Sequence, residues 1–140
     1  MRVLIVDDNL LFREIVRSVV RVNYPSAVVR EAEDVVSALA AAKHGGTDVA
    51  YVDLCLPDGN GLDVLERLRE ANGDAVLACC TNYDYPEYGD ESLRRGADFF
   101  IPKESLDAGK ILAVMAEGCR RGAEAGGETV DRSGSCNGGN

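Results

Sequence analysis

The sequence predicts an α/β fold: a parallel sheet of five strands, wound on both faces by five helices. Three observations predict it. Short unbroken apolar runs alternate with helix-length amphipathic segments, five of each. The runs are continuously apolar, which suits strands buried on both faces and not strands with one face in water. Polar residues close four of the five runs: Asp7 and Asp8, Asp53, Thr81 and Lys103. A residue in that position is the last side chain a strand delivers to one rim of the sheet, and open α/β sheets bind their ligands at that rim.

The elements follow in order. Met1–Val6 is the first strand, and Leu11, Ile15, Val19 and Val22 form one stripe of the first helix, spaced at the period of about 3.6. Ala27–Arg30 is a second, weaker strand. Val35, Leu39 and Ala42 stripe the second helix, which should stop at Gly45-Gly46. Asp48–Val52 is the third strand, and Leu62, Leu65 and Leu68 stripe a third helix ending near Asn72-Gly73. Ala75–Cys80 is the fourth strand; Pro86 opens the fourth helix at its first position and Gly96 closes it. Asp98–Ile101 is the fifth strand, after which Ser105 is a candidate N-cap for a last helix carrying Ile111, Leu112 and Met115 toward Gly118. Right-handed crossovers leave few topologies for five such units. The flavodoxin-like order 2-1-3-4-5 is the natural one.

From Cys119 the pattern dissolves into a stretch rich in Gly and polar residues, which cannot bury enough surface to offset its ordering entropy. The expected organisation is therefore one domain over 1–118 and a flexible Gly-rich tail over 119–140. The 140 residues suit a single domain, and 15 Lys and Arg against 24 Asp and Glu leave a net charge of -9. That balance argues against nucleic acid as a direct ligand, because phosphate backbones bind cationic surface. No apolar run reaches the length of about 18 residues that spans a bilayer, and the chain enters a strand at once without a signal-peptide layout. The expectation is a cytoplasmic protein without a membrane partner. Cys55, Cys79, Cys80, Cys119 and Cys136 are odd in number and lack zinc spacing, so reduced thiols are expected. The single histidine, His44, lies in a turn-like stretch and has no partners for a metal site or triad.

Three carboxylates at one rim repel one another when ionised, unless a hard cation holds them. Oxygen ligands with retained waters suit Mg²⁺, or Mn²⁺, better than zinc. An aspartate can attack phosphorus to give an aspartyl phosphate, with a metal neutralising the phosphoryl oxygens. Lys103 adds a positive charge and Thr81 a hydroxyl donor.

In this order and at these intervals, the segments VLIVDDN (Val3–Asn9), DLCLPDGNGLDVL (Asp53–Leu65), AVLACCT (Ala75–Thr81) and GADFFIPK (Gly96–Lys103) make the chain resemble a response-regulator receiver domain of the two-component phosphorelay family, of the single-domain, CheY-like type. The resemblance covers Met1 to Gly118. It implies that Asp53 is the phosphoacceptor, charged from a histidine kinase or phosphotransfer protein. It implies direct Mg²⁺ ligation by Asp8, Asp53 and the backbone carbonyl of Cys55, with Asp7 acting through water. Lys103 would pair with the acceptor and then with the phosphoryl group, and Thr81 would move to bond a phosphoryl oxygen. Phe100, three residues before Lys103, stands where the family places its rotating switch aromatic, without the hydroxyl of the tyrosine often found there. Pro57 and Gly61 match the acceptor loop, while Pro102 is a less common neighbour for the lysine. Cys55 and Tyr83 stand where side chains influence loss of the phosphoryl group.

Tyr83, Tyr85 and Tyr88 flank a helix weakened by Gly89, since glycine in a helix interior costs about 1 kcal/mol against alanine. A marginal helix beside Thr81 and Phe100 suits a two-state element biased by phosphorylation, and tyrosines are frequent interface anchors. The expected output is a stand-alone switch that binds a downstream protein through the fourth helix, fifth strand and fifth helix, with no catalysis beyond Mg²⁺-dependent self-phosphorylation and self-dephosphorylation. A phosphate shuttle or sink within a relay and a homodimer are both compatible with the same residues. An aspartate-nucleophile phosphatase of the haloacid-dehalogenase type would need an acid two residues after Asp53, where Cys55 stands. A flavodoxin-like cofactor binder would need a hydroxyl- and glycine-rich phosphate loop after the first strand, where Asp7 and Asp8 stand.

Overall fold

The computed structural model describes residues 1–44, 46–82 and 85–126. Five parallel strands form the main sheet: β1 (Arg2–Val6), β2 (Val28–Ala32), β3 (Val49–Val52), β4 (Val76–Thr81) and β5 (Phe99–Pro102). They lie in the order β2-β1-β3-β4-β5, the order expected of a flavodoxin-like (βα)5 fold. The intervening helices are α1 (Leu10–Asn23), α2 (Val35–Lys43), α3 (Gly61–Ala71), α4 (Pro86–Arg94) and α5 (Ala108–Gly126).

Strand residues alternate between two cores, as the two-residue period of a pleated sheet demands. Leu4, Val6, Ala50, Val52, Leu77 and Cys79 point to one face and meet Ala38, Leu62, Leu65 and Leu68 of α2 and α3. Val3, Ile5, Val49, Tyr51, Ala78 and Cys80 point to the other and meet Val16, Val20, Ile111, Val114 and Met115 of α1 and α5. Tyr51, fully buried, donates its hydroxyl to the Ile111 carbonyl at 2.8 Å and so ties α5 to the central strand.

Three local expectations need correction. The first concerns α1, whose inward face is Val16 and Val20 with Phe12 and Val19 beside them. Leu11, Ile15 and Val22 are 66%, 52% and 78% exposed. Both sets have helical spacing, and a long-range contact decides between them. Arg13 and Arg17 both pair with Glu31 of β2, which rolls the helix until the Leu11 stripe faces outward. The second concerns Ser105, which closes a 3₁₀ turn (Lys103–Ser105) and does not cap α5. The cap is Asp107, whose Oδ1 accepts the Lys110 N–H at 2.8 Å. The third concerns the end of α5, which runs through Gly118 and Cys119 to Gly126. Glu117 binds Arg120 and Arg121 one turn on, and Arg121 reaches Asp98 at 3.0 Å, so intrahelical pairs and one tertiary ion pair carry the helix through a sequence of poor local pattern. The remainder of the tail expected over 119–140, residues 127–140, lies outside the described residues, as does Gly45.

Asp98 locks the end of the sheet opposite the polar rim. Its Oδ2 accepts the Leu77 N–H at 2.9 Å and Arg69 Nη2 at 2.8 Å, and its Oδ1 accepts Arg121 Nη2 at 3.0 Å. Burial alone would raise this carboxyl. The bond from Arg121, the Leu77 N–H and the two guanidinium charges outweigh it and hold the group below its ordinary 3.8. Because the folded value is depressed, the stabilisation is present above pH 3.8 and is lost as the pH falls through the lower folded value. Asp98→Ala is expected to lower stability at pH 7 by about 2 kcal/mol, since it strands the Leu77 amide and takes an anionic partner from two guanidinium groups. Urea denaturation of both proteins at pH 7 and at pH 3 checks it, and the difference should shrink at the lower pH.

Candidate metal and phosphoryl site

The rim is assembled by the sheet ladder. The Asp7 N–H donates to the Ala32 carbonyl at 3.0 Å and the Asp53 N–H to the Val6 carbonyl at 2.9 Å, so the two acids extend adjacent strands by one position each. Asp7 is fully buried, Asp53 is buried and Asp8 is exposed. One carboxylate oxygen from each of the three lies within 4.8 Å of the others.

Lys103 enters from the turn after β5. Its Nζ is 2.6 Å from Asp7 Oδ2 and 3.3 Å from Asp53 Oδ2, and it lies over the Phe12 ring, 4.5 Å from the centroid. Asp7 Oδ1 accepts the Asn9 N–H at 2.9 Å. Its Oδ2 is buried and receives no aligned hydrogen bond among the described residues, leaving the Lys103 charge as its compensation. Burial pushes the Asp7 carboxyl above its ordinary value, aided by the Asp53 charge and against the pull of Lys103 and the Asn9 amide. Burial would lower the Lys103 ammonium, but its close ion pair with Asp7 and the charges of both acids hold it above 10.5.

The segment that follows Asp53 is held from three sides. After β3, Cys55–Leu56 pairs antiparallel with Gly59–Asn60 in a short hairpin that no apolar pattern in the sequence signals. Gly61 presses on the strand end: a Cβ there would stand 1.9 Å from the Asp53 carbonyl oxygen. Asp58, at the hairpin turn, accepts the Val35 and Val36 amides at 2.7 and 3.0 Å and so caps α2 across the fold. Asp58 reads in sequence as an ordinary turn residue, and no local signal marks its long-range bond. Phe12 is likewise invisible in sequence as a site residue, since one aromatic on a helix face reads as core.

Thr81 and Pro102 fall where their strands end. Thr81 is the last residue of β4, fully buried and in register with Pro102. Pro102 lies on an edge strand, where its missing N–H is tolerated. Phe100 is half-buried against the core shared with α3, and Gly89 of α4 faces its ring. Tyr85 and Tyr88 are 59% and 40% exposed, with rings in edge contact at 5.8 Å. Tyr88 also lines a cleft with Leu54, Cys55 and Leu62 beside the hairpin that follows Asp53. Tyr83 lies outside the described residues. Cys79 is pushed up to about 12 by burial and Cys80 higher still, so both are inert core thiols.

This donor set fits a divalent cation: three hard carboxylates converge, one exposed, and one buried oxygen lacks a neutral donor. Against known proteins, residues 3–116 match the family model described as the response regulator receiver domain. The chain belongs to that family. This receiver domain is 37% identical over 114 residues to the "Probable transcriptional regulatory protein TcrX" of Mycobacterium tuberculosis, covering 81% of this chain and 48% of that protein. It is 26% identical over 102 residues to the chemotaxis protein CheY of Halobacterium salinarum, covering 73% of this chain and 83% of that one. The chain spans about half the length of several curated relatives it matches. Among solved structures, the receiver domain of a LuxO repressor protein from Vibrio parahaemolyticus superposes with a TM-score of 0.79 at 22% identity, covering 91% of this chain and 96% of that one. A Burkholderia pseudomallei response regulator, solved with a phosphorylated aspartic acid and a calcium ion, superposes at 0.73 with 24% identity, covering 99% of this chain and 86% of that one. These likenesses establish the receiver fold. A receiver domain is a signalling module, and among the described residues no helix is long and apolar enough to cross a membrane.

Proposed function

We propose that this receiver domain accepts a phosphoryl group on Asp53 from a histidine kinase or phosphotransfer protein. An Asp53 carboxylate oxygen attacks phosphorus, the bond from phosphorus to the donor's imidazole nitrogen breaks, and the imidazole keeps the electron pair. The observation that carries the reading is the convergence of Asp7, Asp8 and Asp53 on one point, with the Lys103 ammonium between two of them. Asp8, Asp53 and the Cys55 carbonyl would hold Mg²⁺, or Mn²⁺, directly, and Asp7 through water. Bound there, the ion would supply charge neutralisation at the phosphoryl oxygens. Lys103 neutralises a further oxygen, and Thr81 presents a hydroxyl to the same group.

The experiment combines Mg²⁺ with beryllofluoride, a phosphoryl mimic. At a hundredfold excess over Kd the parent should gain about 2.7 kcal/mol in stability, and Asp53→Asn should gain far less. An equal gain in Asp53→Asn would count against Asp53.

The output reading is that phosphorylation rebalances α4 through Thr81 and Phe100 and so changes partner binding on the face formed by α4, β5 and α5. Only Ser92 of α4 is buried, Tyr85, Tyr88 and Leu93 are exposed, and Gly89 weakens the helix beside Phe100. Hydrogen exchange across Tyr85–Gly96 should slow or quicken severalfold with the mimic bound, and identical protection would sink this part.

A further inference from the structure

We infer that Phe12 is a positioning residue for phosphoryl acceptance, its ring face holding the Lys103 ammonium between Asp7 and Asp53; the inference rests on the reading of Asp53 as acceptor. The Lys103 side chain is only 12% exposed, and its Nζ lies 2.6 Å from Asp7 Oδ2, 3.3 Å from Asp53 Oδ2 and 4.5 Å from the centroid of the Phe12 ring. Two of these change their charge balance when the site is used. A divalent cation at the acids draws on the Asp7 charge, and a phosphoryl group replaces the free Asp53 carboxylate. The ring does neither. Its negative face attracts the ammonium at every stage, and more strongly in a desolvated pocket. Without it, a lysine with four rotatable side-chain bonds can leave for water once Asp7 is neutralised.

The ring is anchored to the acidic loop itself. The Phe12 N–H donates to the Asn9 side chain at 3.1 Å, which caps α1 one residue after Asp8. The adjacent Arg13 donates to the Asp7 carbonyl at 2.6 Å and also pairs with Glu31. The first turn of α1 is thereby tied to the loop carrying both acids, and the ring presents its face toward the lysine while the side chain packs against the core of α1 and α5. A leucine could replace the packing but not the ring's charge distribution.

The test uses the full chain with Phe12→Leu, Phe12→Tyr, Lys103→Met and the double variant Phe12→Leu/Lys103→Met. With acetyl phosphate and saturating Mg²⁺, Phe12→Leu should lower the maximal rate of Asp53 modification about fivefold to tenfold, with acetyl phosphate half-saturation unchanged. Phe12→Tyr should restore the rate, and in the Lys103→Met background Phe12→Leu should have no further effect. In the metal-free parent, NMR should show the Lys103 ε-methylene protons shifted upfield by the ring, a shift lost in Phe12→Leu. A parental rate in Phe12→Leu, or the same slowing in the Lys103→Met background, would overturn the inference. So would an unshifted ε-methylene in a parent that is modified normally. A parent that is never modified would overturn the acceptor reading with it, whereas a modified parent confines any failure to the role of Phe12.

Discussion

Gly61→Ala should lower stability by about 4 kcal/mol or more, among the largest single-residue losses in this protein. The cause is space. An added Cβ would stand 1.9 Å from the Asp53 carbonyl oxygen, 2.8 Å from its carbon and 2.9 Å from the Leu54 Cα. All three atoms are backbone, so no side chain can turn aside, and the hairpin must shift bodily away from β3. That shift would also break the 2.7 Å bond from the Gly61 N–H to the Leu54 carbonyl. Asp53 sits at the hinge of this movement, so the variant should lose its response to Mg²⁺ as well. Gly73→Ala is the matched control, because nothing lies within 4 Å of the atom it adds. Urea denaturation should place Gly73→Ala within about 0.5 kcal/mol of the parent. Equal stability of the two variants would mean that the hairpin after Asp53 does not press on the strand end.

Lys103→Met should destabilise the metal-free protein by about 3 kcal/mol at pH 7, because it leaves two buried carboxylates without their cation. Methionine keeps most of the volume, so packing contributes little to the loss. Asp7 bears most of it, being fully buried with no aligned donor on Oδ2. Its carboxyl already titrates above 3.8 through burial, and without Lys103 it should rise further. An acid raised on folding favours the protonated native state, so the variant should be most stable below pH 3.8 relative to its parent. Its deficit should open as the pH climbs through the raised folded value. The parent has the complementary behaviour at the alkaline end. Lys103 is raised above 10.5, so its contribution is complete below that pH and lost as the pH rises through the higher folded value. Millimolar Mg²⁺ should return part of the variant's deficit, since a divalent cation compensates the same oxygens. Thermal denaturation between pH 3 and pH 12, with and without Mg²⁺ up to pH 8, checks each point. A deficit independent of both pH and Mg²⁺ would mean that Lys103 acts by packing.

The strands and the rim are legible in the sequence because both depend on local rules. Val3–Val6 and Val76–Cys80 are unbroken apolar runs, and a residue following such a run can only emerge at the strand's end. Leu62, Leu65 and Leu68 are legible for the same reason, since a single stripe of leucines offers one inward face. Helix α1 is not legible in this way. Its valines and leucines satisfy two stripes, and Arg13 and Arg17 decide between them by reaching Glu31 on another strand. The course of α5 beyond Gly118 is hidden likewise, since Arg121 finds Asp98 only after folding. Within the site, Phe12 under Lys103 and Asp58 on α2 are hidden by the same kind of distance. Sequence patterns report which face of an element is apolar. They do not report which distant side chain a lysine or an aspartate will meet.

Phosphoryl acceptance by Asp53 is the central claim, and the most direct measurement maps the modified residue. The protein is treated with acetyl phosphate and Mg²⁺, the acyl phosphate is trapped by borohydride reduction, and the peptides are sequenced by mass spectrometry. The expected result is a single reduced site, at Asp53, that disappears when Mg²⁺ is withheld. A reduced site at Asp7, Asp8 or elsewhere with Asp53 intact, or no modification of the folded parent at saturating Mg²⁺, would contradict it.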